Sequence, residues 1–314
     1  MIYKTIITNK TMEINRRFFL KSAGLVSGGL YLSKMEAFAS LFTTDPNFTM
    51  KKLRGNSGVF IEKGGTIGWM ISNKGVIVID TQFPEQAGHL IKEIKTQSTS
   101  LVDILFNTHH HGDHTSGNIA FKGIASTIVA QENSKINQIQ SAKDRGTENK
   151  QLYPDTTFKT SWNGKAGNET VRAYYFGPAH TNGDSIIHLE NENIAHVGDL
   201  VFNRRFPYID KSAGASIENW IKVLEKTRQT FDNNTIFIFG HALDPNAITG
   251  NKEDLKAMEN YLSKLLAFMK KEINNGKSLD ELLKTTSIPG AEEWKGNGIS
   301  RSIKAAWQEL KTDS

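Results

Sequence analysis

The chain has 314 residues, of which 38% are hydrophobic and 23% are charged, and its formal net charge is +5. This length is ample for a buried core, and the composition excludes collagen-like and wholly disordered proteins. The absence of cysteine excludes disulfides, thiolate metal ligands and cysteine nucleophiles, which leaves His, Asp and Glu as candidate metal ligands.

Residues 1–39 resemble a twin-arginine export signal. Arg16 and Arg17 precede Phe-Phe-Leu-Lys, a weakly apolar stretch follows at 22–32, and Ala37-Phe38-Ala39 matches an A-x-A cleavage site. We therefore expect the twin-arginine translocation machinery as a partner and a periplasmic or secreted mature protein. The segment carries six basic and two acidic residues, so the rest of the chain has a net charge of +1, which gives no support for nucleic-acid binding.

Beyond a linker predicted at residues 40–47, strands and helices alternate. Runs rich in Val and Ile predict strands at residues 57–63, 66–72, 76–80, 101–107, 126–130, 171–176, 184–190, 193–197 and 235–239. Apolar residues with a 3.6-residue period predict helices at residues 84–95, 131–142 and 216–228. The alternation falls into two similar halves, which predicts an α/β (α+β) fold with two packed sheets between outer helices, a four-layer αββα sandwich.

The C-terminal part of the chain is predicted to be helical. Apolar residues follow a helical period from Lys252, Gly276 is a plausible stop, and two shorter helices follow. We expect residues 40–250 to form the main domain and residues 251–314 a helical extension packed on its core. No apolar run reaches the ~20 residues of a membrane-spanning helix, so no stable span is expected once the signal is removed.

The strongest chemical motif follows the strand predicted at 101–107. Four ligand-type residues occur there with H-x-H-x-D-H spacing, namely His109, His111, Asp113 and His114. In an extended turn the first two imidazoles can converge on one ion while Asp113 and His114 face a second, and imidazole with carboxylate suits zinc, iron or manganese. The alternative is a surface histidine cluster, which this spacing after a buried strand disfavours.

Three further candidates lie downstream, each close to a glycine. His180 follows Gly177-Pro178-Ala179 in a turn between two predicted strands, whereas Asp199 and His241 each follow a glycine at a predicted strand end. A glycine beside a ligand lets the backbone approach an ion closely. Each residue alone is a weak signal, but the three repeat one pattern.

Together these motifs resemble the metallo-β-lactamase-fold hydrolase superfamily over residues 48–250. The resemblance implies one metal bound by His109, His111 and His180, a second bound by Asp113, His114 and His241, and Asp199 as a bridge between them. It implies two Zn²⁺ ions per chain, with Fe or Mn as alternatives. β-Lactamases proper typically carry Cys or Ser where this chain has Asp199, and the resemblance instead favours the glyoxalase II, lactonase and phosphodiesterase branches. The export signal argues against the glyoxalase II role, because its glutathione thioester substrate is mainly cytoplasmic.

The resemblance also implies a mechanism. A hydroxide shared by the two ions attacks a carbonyl or phosphoryl centre, and Asp113 is the catalytic residue that orients it. Among the neighbours, His110 is expected to point away from the ions. Asp80 is placed beneath the metals, where it either orients a ligand imidazole or has a turn role, and Tyr208 either reaches the pocket or packs.

The sequence therefore predicts an exported dinuclear zinc hydrolase. Its expected substrate is a small-molecule ester, lactone, thioester, amide or phosphoester, and no nucleic-acid partner is expected. Three alternatives remain open: a true β-lactamase, a mononuclear iron dioxygenase of the same fold, and a non-catalytic periplasmic binding protein.

Overall fold

The computed structural model describes residues 48–312, so the predicted export signal at 1–39 and the linker at 40–47 lie outside the described residues. The described strands form two mixed sheets. In the first sheet the spatial order follows the chain: β1 (Thr49–Arg54), β2 (Ser57–Ile61), β3 (Ile67–Ser72), β4 (Gly75–Ile79), β5 (Val102–Asn107), β6 (Ala125–Gln131) and β7 (Thr156–Phe158). Strands β1 to β4 pair antiparallel, and β4 to β7 pair parallel.

The second sheet is built from the later part of the chain. Its strands are β8 (Ser161–Ala166), β9 (Glu169–Tyr174), β10 (Ile186–Leu189), β11 (Ile194–Asn203), β12 (Ile236–Ala242) and β13 (Thr249–Gly250). The spatial order is β13-β12-β11-β10-β9-β8, and β11 with β12 is its parallel pair. Parallel neighbours require a crossover connection, which here is a helix between β11 and β12.

The helices are α1 (Pro84–Gln97), α2 (Gly112–Thr115), α3 (Glu132–Asp144), α4 (Ile217–Thr230), α5 (Lys252–Asn274), α6 (Leu279–Leu282) and α7 (Ile299–Thr312). The longer helices lie on the outer faces of the two sheets, and the short α2 lies at the edge of the sandwich. Pro84 begins α1, where its missing N–H costs no hydrogen bond. Asn251 caps α5 in a capping box, and Gly276 follows the end of α5 with a φ of 82°.

Three apolar clusters hold these layers together. Leu90 and Ile94 of α1 pack on the outer face of the first sheet, and residues such as Ile79 and Ile187 meet between the sheets. On the outer face of the second sheet, Trp220 of α4 shares a cluster with α5 and α7. Because a fully buried side chain of this kind contributes about 1.5–3 kcal/mol, these clusters provide the main stabilisation of the fold. The predicted four-layer αββα sandwich is confirmed.

One predicted strand boundary was wrong in a way that matters for the site. Asp199 lies inside β11 and not at a strand end, whereas His241 is the last residue but one of β12, at the strand end where it was predicted. Gly198 has a φ of 51°, and the pairing register shifts on either side of it, so β11 continues through an irregularity. Strands β1, β7, β8 and β13 were not predicted. The proposed division of the chain at residues 39 and 250 stays a prediction.

No helix within residues 48–312 combines the length and the apolar character needed to cross a membrane.

Candidate metal centre

The seven predicted ligands meet at one edge of the sandwich. They come from the segment after β5, from α2, from the loop between β9 and β10, and from β11 and β12: His109, His111, Asp113, His114, His180, Asp199 and His241. Their donor atoms form two groups, each with its atoms within 4.8 Å of one another, and Asp199 belongs to the first. We call the three histidines of the first group site 1 (His109, His111, His180) and the second group site 2 (Asp113, His114, His241).

In site 1 three imidazole nitrogens point at one another. His111 Nδ1 lies 3.0 Å from His109 Nε2 and 2.9 Å from His180 Nε2. All three rings are largely buried. The spacing is that of atoms surrounding a common centre.

Site 2 combines two imidazoles with a carboxylate. Asp113 Oδ2 lies 3.2 Å from His241 Nε2 and 3.8 Å from His114 Nε2. Asp113 is the most open of the three, with 31% of its side chain exposed, so it faces the cavity.

Asp199 lies between the two sites. Its Oδ1 is 3.1 Å from His114 Nε2 in site 2, and its Oδ2 is 3.4 Å from His180 Nε2 in site 1. Oδ2 also lies 3.5 Å from His241 Nε2. One buried carboxylate therefore contacts ligands of both groups, as the bridging role predicted for it requires.

Outer hydrogen bonds fix the tautomers of two imidazoles in site 1. His180 Nδ1 donates to the backbone carbonyl of Tyr208 at 2.7 Å, because a carbonyl can only accept. His111 Nε2 lies 2.9 Å from Asp210 Oδ2 and donates to that carboxylate. The inner nitrogen of each ring is then unprotonated, and its lone pair points into site 1.

Asp80 fixes the tautomers of two further buried rings, those of His109 and His114. The Thr108 hydroxyl donates to Asp80 Oδ2 at 2.7 Å, so its oxygen accepts from His109 Nδ1 at 3.1 Å. His114 Nδ1 donates to the same Asp80 oxygen at 2.7 Å. The role considered for Asp80, orienting a ligand imidazole, is the one it has in the structure.

These tautomers make the site suited to a cation. Lone pairs at 2.9–3.0 Å repel unless a proton or a metal lies between them. His114 Nε2 and Asp199 Oδ1 are buried and have no well-oriented hydrogen bond among the described residues. Imidazole with carboxylate is the donor set that zinc and neighbouring transition metals prefer. The two groups are consistent with a dinuclear metal site.

The pKa shifts of the metal-free groups separate the two sites. Burial, reinforced by neighbouring imidazoles, lowers the pKa of His109 and lowers that of His180 to about 3. In site 2 burial opposes protonation, but nearby carboxylates outweigh it and raise the pKa of His114, and that of His241 to about 9. Burial also opposes ionisation of Asp113, yet His114 and His241 hold its pKa well below its ordinary value. Without metal, His114 and His241 therefore retain protons at a pH at which His109 and His180 have lost theirs.

At two positions a metal-type side chain lies so close to the backbone that only glycine fits. A Cβ on Gly240 would overlap the Asp199 carboxylate, and a Cβ on Gly65 would overlap the His114 ring. A glycine beside a ligand was expected to let the backbone approach an ion. In the structure Gly240 instead admits the side chain of a different ligand.

Sequence reasoning missed Asp210. It lies in the loop after β11 and is 99 residues from its partner His111, so no local spacing could reveal it. His110, Asp210 and His111 form a third group of metal-type residues, but Asp210 already accepts from His111 there. His110 belongs to neither site 1 nor site 2, and its ring is buried and lines the cavity.

The cavity in front of both sites has a volume of about 680 Å³. Its wall is partly aromatic, with Phe83, Phe202 and Tyr208, and the Tyr208 ring lies 5.3 Å from that of His111. Burial and then Asp210 raise the pKa of Tyr208, whereas Arg301 and Arg145 lower it. Tyr208, considered as a pocket residue from the sequence, therefore lines the cavity.

Known proteins resemble this chain in sequence and fold. Residues 62–261 match the family model described as Metallo-beta-lactamase superfamily. Metallo-beta-lactamase IND-1 of Chryseobacterium indologenes is 25% identical over 177 residues, which is 55% of this chain and 70% of the relative. Metallo-beta-lactamase type 2 of Bacillus cereus is 23% identical over 186 residues, 59% of this chain and 69% of the relative.

A solved structure extends the comparison to the fold. The metallo-beta-lactamase from Pontibacter korlensis superposes with a TM-score of 0.57 at 20% identity, covering 69% of this chain and 99% of that one. At this identity the likeness shows the shared fold and leaves the substrate to be argued from the site.

Proposed function

The chain belongs to the metallo-beta-lactamase superfamily of metal-dependent hydrolases, and we propose that it is an exported dinuclear zinc enzyme that cleaves a small ester, lactone, thioester, amide or phosphoester. The observation that carries the zinc proposal is the orientation of the donors. Outer acceptors direct the lone pairs of His109, His111 and His180 inward, and Asp199 joins this group to the second one.

The chemistry divides between the metals and the chain. Two bound zinc ions would lower the pKa of water and polarise the electrophile. Asp113 is ionised at neutral pH and faces the cavity, so its free carboxylate oxygen can accept a hydrogen bond from the attacking water and orient it. Tyr208 lines the same cavity, where its hydroxyl can donate a hydrogen bond to an oxygen of the substrate.

A hydrolysis panel tests the proposed reaction. Zinc-loaded protein is assayed with an ester, a lactone, a phosphodiester and a β-lactam, before and after removal of metal by a chelator. We expect turnover of at least one class, its loss with the chelator and its return with zinc. The β-lactam is included because the two curated relatives carry that name. Failure to hydrolyse any class would contradict the proposal and favour a binding protein.

Elemental analysis tests the metal content separately. We expect two ions per chain, reduced in both sites by Asp199→Ala and mainly in site 2 by His241→Ala. A constant single ion, with no increase on zinc titration, would contradict the dinuclear proposal and return the mononuclear dioxygenase to consideration.

Export rests on the sequence alone. The Arg16-Arg17 pair followed by Phe-Phe-Leu-Lys supports the twin-arginine route, which carries folded cargo. Replacement of both arginines by Lys should leave the precursor in the cytoplasm. Normal amounts of exported protein from this variant would contradict the proposed route.

A further inference from the structure

The cavity contains positive charge that the metal centre does not use. Seven arginines occur within residues 48–312, and four of them pair with carboxylates or backbone carbonyls: Arg54, Arg172, Arg204 and Arg228. The other three, which make no ion pair with a described residue, all line the cavity: Arg145, Arg205 and Arg301. The unpaired arginines of the described chain are therefore concentrated in front of the metal centre.

Two of these arginines share the cavity wall with the Tyr208 phenol. Arg145 follows the last residue of α3, and Arg301 lies in the first turn of α7. The guanidinium of Arg301 stacks over the Tyr208 ring at 5.5 Å, and Arg145 Nη1 lies 3.8 Å from the position that a Cβ on Gly112 would take, between the ligands His111 and Asp113. Three separate elements thus bring two cations and one hydroxyl to the same part of the cavity.

The neighbouring acids do not neutralise this group. Asp210 accepts from His111, from the Ser212 hydroxyl and from the Ala213 amide. Asp144 lines the cavity and accepts from Gln140 at 2.7 Å, but it makes no ion pair with Arg145. The hydrogen-bonding partner that Arg145 does have is neutral, the hydroxyl of Ser141.

Guanidinium groups recognise oxyanions. Their planar donors match carboxylate and phosphate oxygens in pairs, and stacking on an aromatic ring holds the group ready for binding. The Tyr208 hydroxyl makes no hydrogen bond to another described residue and can add a third donor.

We propose that Arg145, Tyr208 and Arg301 form an anion subsite that binds a carboxylate or phosphate carried by the substrate, away from the bond that is hydrolysed. The inference rests on the proposed hydrolase function and narrows its substrate class to small anionic molecules. The subsite depends on α7, so the C-terminal helix contributes directly to substrate selection.

A pair of esters that differ only in charge tests the subsite. 4-Acetoxybenzoate and 4-acetoxybenzamide have nearly the same shape and the same scissile bond. The wild-type protein should prefer the benzoate. Arg301→Gln and Arg145→Gln should each lower kcat/KM for the benzoate by about 10-fold, mainly through KM, which corresponds to about 1.4 kcal/mol. The benzamide should change by less than about 2-fold.

Matched control variants remove one charge from the same helices without changing the cavity. Lys304 lies on α7 and Lys143 on α3, and both are exposed and absent from the cavity wall. Lys304→Gln and Lys143→Gln should leave both esters unaffected. Equal losses for benzoate and benzamide in the arginine variants, or no loss for either, would overturn the subsite.

A second measurement does not depend on turnover. Inorganic phosphate is titrated calorimetrically into zinc-loaded wild-type and variant proteins whose zinc content has been matched. We expect the arginine variants to bind phosphate at least 5-fold more weakly than the wild type. Unchanged phosphate affinity would overturn the subsite even if the esters are hydrolysed. Weakened phosphate binding in a protein that hydrolyses neither ester would support the subsite while the hydrolase proposal fails.

Discussion

His114 Nδ1 lies 2.7 Å from Asp80 Oδ2, and through this bond the end of β4 orients an imidazole of the metal centre. The same carboxylate accepts from the backbone amide and from the hydroxyl of Thr108, at 2.8 and 2.7 Å. Asp80 is fully buried and has a φ of 64°, a backbone conformation that Asp and Asn tolerate better than most residues. Asp80 therefore holds a ligand imidazole in place through a buried carboxylate that accepts three hydrogen bonds.

Asp80→Asn should weaken zinc binding at site 2 by about 10–100-fold while the fold survives. Asn keeps the shape and tolerates the positive φ, but it removes the charge, and in either orientation its NH₂ group faces a donor: the Thr108 amide if it replaces Oδ1, or the Thr108 hydroxyl and His114 Nδ1 if it replaces Oδ2. Competition with a chromophoric chelator measures the affinity. Asp103→Asn is the control, because Asp103 accepts only the Val76 amide at the start of β4. Equal zinc affinity in Asp80→Asn and wild type would contradict this role.

The raised pKa of His241 predicts a pH-dependent contribution to the stability of the metal-free protein. Its folded pKa of about 9 lies above the ordinary 6.5, so the contribution is complete below pH 6.5 and is lost as the pH rises through 9. We expect metal-free His241→Asn to be less stable than wild type by about 2 kcal/mol at pH 6.5, with the difference shrinking towards pH 10. Urea unfolding after chelation measures it.

His188 provides the control for this pH dependence. Burial lowers its pKa, so the ring is neutral in folded and unfolded chains above pH 7.5. The effect of His188→Asn should therefore stay constant between pH 7.5 and 10. A parallel decline in both variants, or a constant difference for His241→Asn, would show that the interaction of His241 with Asp199 and Asp113 does not stabilise the metal-free fold.

The layers and the predicted metal ligands could be identified from sequence because both leave local signals. Buried strands such as β4 are continuous apolar runs, and H-x-H-x-D-H is a compact motif. The edge strand β8 (Ser161–Ala166) was missed because it carries polar residues and Gly164 in place of an apolar run. Strand β11 was predicted too short because Gly198 indicates a turn, whereas here it marks an irregularity inside the strand.

The residues that surround the predicted ligands leave no local signal in the sequence. Asp210 reaches His111 only because the loop after β11 returns across the cavity. Arg301 reaches Tyr208 only because α7 packs beside that loop, where Ser302 donates to the Pro207 carbonyl at 3.0 Å. Contacts between residues so far apart in the chain depend on tertiary packing, which periodicity and motif spacing do not encode.

Asp113→Asn should reduce hydrolysis by at least about 1,000-fold while the fold is retained. The substitution keeps the size of the side chain but removes the charge that contacts His241 and orients the nucleophile. Activity and zinc content are measured together. His110→Asn provides the comparison, since this ring lines the cavity without joining either site, and its loss should be far smaller. Equal activity losses with intact zinc would show that the ligand assignment is wrong.

Glu309 connects the C-terminal helix to the loop that supports site 1. This buried carboxylate of α7 accepts from the backbone amides of Ile217 and Glu218 at 2.8 and 2.9 Å, and it pairs with Lys211 at 3.1 Å. It therefore caps the N-terminus of α4, where a negative charge is favoured by the exposed amides and the helix dipole.

Glu309→Gln should lower the free energy of unfolding by about 1–2 kcal/mol, because one amide loses a charged acceptor and the helix dipole loses its counter-charge. Urea denaturation of the zinc-loaded full chain measures the change. Glu293→Gln is the matched control, since Glu293 is exposed in the same C-terminal segment, and its stability should equal that of the wild type. If the two variants were equally stable, the capping contact would contribute nothing, and the docking of α7 would rest on its apolar face alone.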